Sequence, residues 1–236
     1  PQAAAGLYEG MARMVRNAGF NLNLAPVVDL GFEKKNPIIA RYGRAYGNDG
    51  ASVARYAAAF CEGHRRAGLL ATLKHFPGHG STLLDSHKAP VDLTPTWRED
   101  ELEPYRQLAA AGLGDVVMSG HLAHERMGGR GLAATLSRVA VEDVLRKQCG
   151  WKGVVMTDDV DMRAIRSTYE PAEAAVAAFA AGNDLILMSN TADPDDDLPR
   201  RVVAHARDAL SNGTLKLSRL ESAFERVDRL AAKVKA

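Results

Sequence analysis

The chain has 236 residues, with 30 lysines and arginines against 29 acidic residues and a formal net charge of +1. That balance, without a basic run or stripe, argues against nucleic acid as a partner. Hydrophobic residues at 46% and charged residues at 25% suit one globular domain with a substantial core. No apolar stretch approaches the roughly 18 residues of a membrane span. The cysteines, Cys61 and Cys149, are too few for a disulfide framework and read as small buried hydrophobes.

The first element is a helix over 3–18, with Leu7, Met11, Met14 and Val15 at amphipathic spacing and Gly19 as its stop. Residues 20–29 read as a strand with Pro26 near its end. A loop over 31–49 carries Lys34, Lys35, Arg41 and Arg44, and a helix over 51–67 closes at Gly68. The apolar run 68–73 reads as a buried strand. It opens into Lys74-His75-Phe76-Pro77-Gly78-His79-Gly80, followed by Asp85-Ser86-His87. The proline and glycines rule out a regular helix there, and a loop can converge functional groups on one point.

Residues 91–96 continue that loop, and a helix over 99–111 ends at Gly112. Residues 115–121 form a third strand, 122–136 a long loop, and Ser137 an N-cap for a helix over 139–149. Residues 153–159 form a fourth strand with Asp158 and Asp159 at its carboxyl end. A helix over 171–181 has a proline in its first turn. A fifth strand over 184–189 precedes closing helices over 198–210 and 218–235.

Strands alternating with helices predict an α/β fold in which helices cover a parallel sheet. Asp29, Lys74, His121, Asp158 and Ser189 all fall at carboxyl ends of strands, which share one face in a closed barrel. A doubly wound open sheet is the competing architecture, weakened by the lack of any G-x-G-x-x-G opening a helix.

Several motifs in the right order resemble glycoside hydrolase family 3, in particular its bacterial exo-β-N-acetylglucosaminidases. They are Asn23 to Asp29, Asn36-Pro37-Ile38-Ile39 through Gly43-Arg44-Ala45-Tyr46-Gly47, Lys74 to Gly80 with Asp85-Ser86-His87, and Val155-Met156-Thr157-Asp158-Asp159. The resemblance implies a (β/α)8 TIM-barrel-like domain spanning 1–236 as a single unit. It also implies incompleteness at the amino terminus. Five strands are legible where a barrel has eight, and earlier family strands, with an acidic residue that grips the terminal sugar, have no counterpart here.

The implied activity is retaining hydrolysis of terminal non-reducing β-linked N-acetylglucosamine. Asp158 matches the nucleophile and His87 the acid/base, with Asp85 orienting and charging the imidazole. A histidine titrates near neutrality and suits that role, although most glycosidases use a second carboxylic acid. Arg44, Lys74 and His75 match sugar-binding positions, and His121 is expected to line the pocket. Asp159 and His79 are expected to be structural, and Asp29 either supports this face or only ends its strand.

The alternatives are a truncated, catalytically weak sugar-binding barrel and a β-glucosidase of the same family. A zinc site from His75, His79, His87 and Asp85 has suitable ligands, but its spacing matches no zinc signature, and no metal or cofactor is expected. A serine hydrolase would lack its G-x-S-x-G elbow. The expected partner is a small carbohydrate, an N-acetylglucosamine-containing glycan or a muropeptide from peptidoglycan recycling, bound by a monomer. The compartment stays open between the bacterial cytoplasm and the cell envelope.

Overall fold

A computed structural model of the chain describes residues 1–86 and 89–235. Helix α1 spans Gln2–Asn17, β1 Leu22–Asn23, α2 Gly50–Arg66 and β2 Leu70–Phe76. Then come β3 (Val91–Asp92), α3 (Glu103–Ala110), β4 (Val116–Ser119) and β5 (Leu122–Ala123). After a helix over Val139–Gln148 follow β6 (Val154–Thr157), α4 (Arg163–Arg166), α5 (Pro171–Ala181), α6 (Leu198–Ser211) and α7 (Leu217–Lys235). Local chemistry sets the boundaries. Asp49 caps α2 by accepting from the Ser52 amide at 2.8 Å, and Gly68, at φ +67°, turns the chain out of α2 into β2.

Strands β1, β2, β4 and β6 form one parallel sheet in that order. Alternation along the strands sorts the side chains onto two faces. Ala71, Leu73, Val117 and Val155 pack with Val53 and Phe60 of α2, Tyr105 and Leu108 of α3, and Val141 and Leu145 of the 139–148 helix. Leu70, Val116, Met118, Val154 and Met156 face the other way and are covered by Val227, Leu230 and Val234 of α7. Burial on both faces explains why these strands read as unbroken apolar runs. The α/β, TIM-barrel-like architecture is as expected, and among the described residues no helix is long and apolar enough to cross a membrane.

Four local expectations are corrected. The strand read over 20–29 enters a ladder only at Leu22–Asn23. Pro26 has no N–H to give, and the chain stays beside β2 through carbonyls: Thr72 N donates to Ala25 O, Lys74 N to Pro26 O, and Val28 N to Lys74 O. The segment read as a fifth strand meets β6 through a single bridge, Met156 to Leu185. Beyond it the Thr157 hydroxyl, not a backbone carbonyl, accepts from the Leu187 amide. Residues Val91–Asp92, read as loop, pair in parallel with Leu122–Ala123, because Val91, Leu93 and Leu122 form a small apolar cluster of their own. The helix over Val139–Gln148 is wound as a π-helix, and the Cys149 amide reaches back to Val144 O.

The amino-terminal ends of the strands are fastened by one carboxylate. The Asp184 side chain is fully buried. It accepts from Arg146 and Arg219 at 2.8 Å, from Arg226 at 2.9–3.0 Å, and from the Val155 amide at 3.0 Å. It thereby joins α7 and the 139–148 helix to β6. Asp184→Ala would leave three clustered guanidinium groups without their counter-ion, and breaking a buried charge pair costs roughly 3–5 kcal/mol. Urea unfolding followed by circular dichroism should show a loss of that size. A loss under about 1 kcal/mol would mean that the arginines find other partners.

Candidate active site

The carboxyl ends of β2, β4 and β6 and the chain after β1 bring the polar residues together. Asp29 is at the centre and buried. Its Oδ1 accepts from the backbone amides of His75 at 3.1 Å and His79 at 2.8 Å, and its Oδ2 accepts from His75 Nδ1 at 2.7 Å. Burial opposes its ionisation. The His75 charge and hydrogen bond, with the charge and amide of His79, outweigh burial and hold the carboxyl below its ordinary range. Asp29 therefore supports this face rather than only ending its strand. The register between β2 and β4 shifts between Leu73 and Phe76, and the Lys74–His75 peptide bond within that interval is cis.

The loop after β2 is tied down as far as Ser86. His79 is buried, with Nδ1 at 2.8 Å from the Thr82 hydroxyl and Nε2 at 3.0 Å from the Ser86 hydroxyl. Burial and the neighbouring His75 charge push its pKa down to about 4, so it is neutral at physiological pH. Asn36, in the loop before α2, satisfies its whole buried amide here. Its Nδ2 donates to His79 O at 2.7 Å and Gly80 O at 3.1 Å, while its Oδ1 accepts from the amides of Ile38 and Ile39. Only glycine fits at position 80, since a Cβ would lie 2.0 Å from Leu30 O. Trp97 Nε1 donates to Pro77 O at 3.1 Å.

Asp158 follows β6 directly. Its amide donates to Ser119 O at the end of β4, and its Oδ1 accepts from the Asp159 amide at 2.9 Å. Burial would raise its pKa. The charges of His75 and His121, the Asp159 amide and the Lys74 ammonium outweigh burial and keep it low, so Asp158 is a carboxylate at neutral pH. Half-buried Lys74 has its own pKa lowered, first by burial and then by the Arg44 charge, against the pull of Asp158 and Asp29. Arg44 Nη1 donates to Ile38 O at 3.3 Å. His121 lies with Nε2 at 2.7 Å from Asp159 O and Nδ1 at 3.0 Å from the Thr135 hydroxyl. Asp159 anchors a second loop by accepting from the amides of Asp161 and Ser189.

Asp158, Lys74, His75, His121 and Arg44 are thus linked by charge or hydrogen bond around one point. Asp85 is half-buried in the same loop, and its carbonyl accepts from the Ala89 amide at 3.2 Å. His87 lies outside the described residues. Among the described residues no group of three or more histidine, cysteine, aspartate or glutamate side chains is placed to hold a metal ion. A cavity of about 650 Å³ lies at the opposite ends of the strands, beside Asp115, Trp151 and Leu230. Two of the cations lining it, Lys233 and Arg226, are already paired with Asp115 and Asp184.

Sequence reasoning missed two residues. The role of Asn36 as a clamp between two loops left no signal beyond its place before Pro37. Glu101 did leave one, because it shares a helical face with core residues Tyr105 and Leu108. It is buried, and its Oε2 accepts from the Gly80 amide at 2.8 Å. Ser81 lies beside the carboxyl, and among the described residues the Glu101 Oε1 accepts no hydrogen bond. Burial, reinforced by the negative charge of Asp29, pushes its pKa up to about 8.

Glu101 therefore holds a proton in the fold that it releases when unfolded. Its stabilising contribution is complete below about pH 4.5 and is lost as pH rises through about 8. Glu101→Gln keeps the shape and cannot ionise. Melting temperatures between pH 5 and pH 8.5 should fall less steeply for this variant than for the parent. Parallel profiles would show that Glu101 is ionised in the fold.

Comparison with known proteins follows this geometry. The chain is 34% identical over 214 residues to a beta-hexosaminidase of Vibrio cholerae serotype O1, covering 89% of this chain and 62% of that protein. It is 39% identical over 181 residues to a beta-hexosaminidase of Xylella fastidiosa, covering 75% and 52%. A glycoside hydrolase family 3 beta-N-acetylglucosaminidase from Paenibacillus sp. superposes with a TM-score of 0.88 at 34% identity, over 99% of this chain and 44% of that one. The chain thus spans about half to three-fifths of these two curated relatives. The family model described as "Glycosyl hydrolase family 3 N terminal domain" matches residues 2–230, nearly the whole chain, and the chain belongs to that family.

Proposed function

We propose that this chain carries the site of a retaining exo-glycosidase that removes terminal non-reducing β-linked N-acetylglucosamine. The observation that carries this reading is Asp158, an ionised carboxylate fixed at the end of β6 with Lys74, His75 and His121 around it. A held carboxylate can attack the anomeric carbon as the bond to the leaving oxygen breaks, leaving a covalent glycosyl-enzyme. His87, charged and oriented by Asp85 as the family resemblance implies, gives its proton to the departing oxygen. It then takes a proton from the water that cleaves the intermediate, so the configuration at the anomeric carbon is retained. Lys74, His75 and Arg44 supply donors for sugar hydroxyls. The similarity to beta-hexosaminidases and to a beta-N-acetylglucosaminidase supports N-acetylglucosamine as the sugar. The aglycone is a glycan or muropeptide.

The protein should hydrolyse an aryl β-N-acetylglucosaminide and release the β-anomer first by proton NMR. Early α-anomer would overturn retention, and a strong preference for the β-glucoside would overturn the sugar. Binding of the sugar without turnover would point to a sugar-binding barrel instead.

The two proposed catalytic residues should separate kinetically. Asp158→Ala should abolish turnover of every substrate. His87→Ala should spare glycosylation by substrates with acidic phenol leaving groups but slow the second step, so that a burst appears and azide restores turnover. General acid/base help is worth roughly 10²–10⁴-fold. Equal slowing of aryl and disaccharide substrates, with no azide rescue, would remove His87 from the acid/base role.

A further inference from the structure

We propose that Asp29 is a positioning residue that fixes the protonation pattern of His75. It keeps a hydrogen on Nδ1 and leaves Nε2 as the ring nitrogen open to a ligand. This deepens the sugar-binding reading of His75 and rests on it.

The geometry leaves one arrangement. Asp29 Oδ1 is occupied by two backbone donors, the amides of His75 and His79. Neither can act as an acceptor. Oδ2 faces His75 Nδ1 at 2.7 Å, and a carboxylate can only accept. The hydrogen between them therefore belongs to Nδ1. The His75 side chain is 9% exposed and that of Asp29 is fully buried, so water does not compete for the contact. Nε2 makes no hydrogen bond among the described residues, which leaves it available to a ligand. The titratable groups around the pair are Lys74, Asp158 and the neutral His79, with the Arg44 cation beyond Lys74. Glu101 and Tyr105 lie behind Asp29.

The same accounting predicts what an isosteric amide does. In Asp29→Asn the two backbone amides still need an acceptor, so the amide oxygen must take the Oδ1 position. The NH2 group then faces His75 Nδ1 and donates to it. The ring is forced into the opposite tautomer, with Nδ1 bare and the hydrogen on Nε2. A residue that only packed would not reverse the ring when replaced by its isostere.

Histidine-15N NMR of the full chain reads the ring nitrogens directly, with His75→Gln supplying the assignment. In the parent at neutral pH, Nδ1 should carry a hydrogen. A bare Nδ1 at neutral pH in the parent would overturn the proposal without any variant. In Asp29→Asn, if folded, the pattern should invert, and the dissociation constant for N-acetylglucosamine should rise about tenfold because Nε2 no longer presents the parent's hydrogen-bonding pattern to the sugar. A folded variant with the parent's ring pattern would also overturn it. If the parent binds no N-acetylglucosamine while its Nδ1 stays protonated, the sugar reading fails and the positioning of His75 stands.

Discussion

The carboxylate of Asp29 is the contact on which the upper face of the sheet depends. Its oxygens take three donors from one loop: the His75 amide, the His75 ring and the His79 amide. These residues flank Phe76-Pro77-Gly78, whose proline has no amide to donate. The turn therefore cannot hold itself in place through a ladder. A buried charge at the end of the neighbouring chain supplies acceptors where the strand's own pattern stops. Asn36 does the same from the other side with an amide that both donates and accepts. The loop that bears the proposed sugar contacts is consequently held by two foreign side chains whose polar atoms are used in full. At about 0.5–1.5 kcal/mol for each net hydrogen bond, the clamp matters more for placing atoms than for overall stability.

The two ends of the sheet use charge differently. At the amino-terminal ends, Asp184 is saturated by three arginines and a backbone amide. Every lone pair is engaged and nothing is left for a ligand. At the carboxyl ends, cations outnumber their fixed partners around Asp158, and Lys74 is held there against both burial and the charge of Arg44. This division matches the general behaviour of parallel barrels, where one end serves stability and the other chemistry.

Much of this was legible in the sequence because parallel strands buried on both faces must be continuous apolar runs. The runs at 68–73, 115–118 and 153–156 could hardly be anything else, and the polar residues just after them had to lie on one face. The segment 20–29 was misjudged for a reason visible only in three dimensions: Pro26 passes its carbonyl, not an amide, to β2. The segment 184–189 looked equally apolar, yet its first residue belongs to the arginine cluster, and after the Leu185 amide donates to Val155 O the Leu187 amide goes to a threonine hydroxyl. Pattern reports burial, and both segments are partly buried. It does not report which hydrogen-bonding group sits opposite. The motif residues from Arg44 to Asp158 could be placed because each follows a strand or its loop. The clamping by Asn36 and Glu101 could not, because Asn36 donates to His79 O and Gly80 O and Glu101 accepts from the Gly80 amide, backbone atoms more than twenty residues away on a loop whose path the sequence does not encode locally.

Asp29 and Glu101 show how one small region keeps two carboxyl groups in opposite states. Both are almost wholly buried, and both lie within reach of the same turn. Burial pushes each toward its neutral form. What separates them is the number of donors aimed at their oxygens. Asp29 receives three, one from an imidazole, and stays ionised. Glu101 receives the Gly80 amide, with Ser81 beside it, and these do not outweigh its burial and the negative charge of Asp29. Once Asp29 is charged, its field makes ionisation of Glu101 harder still. The order matters for function. Negative charge is concentrated beneath His75, where it can bias an imidazole, and is withheld from the Gly78–Gly80 turn, where it would only repel. Two acids at similar depth thus take different roles from their environments, and the difference is set by the backbone amides that the turn happens to present.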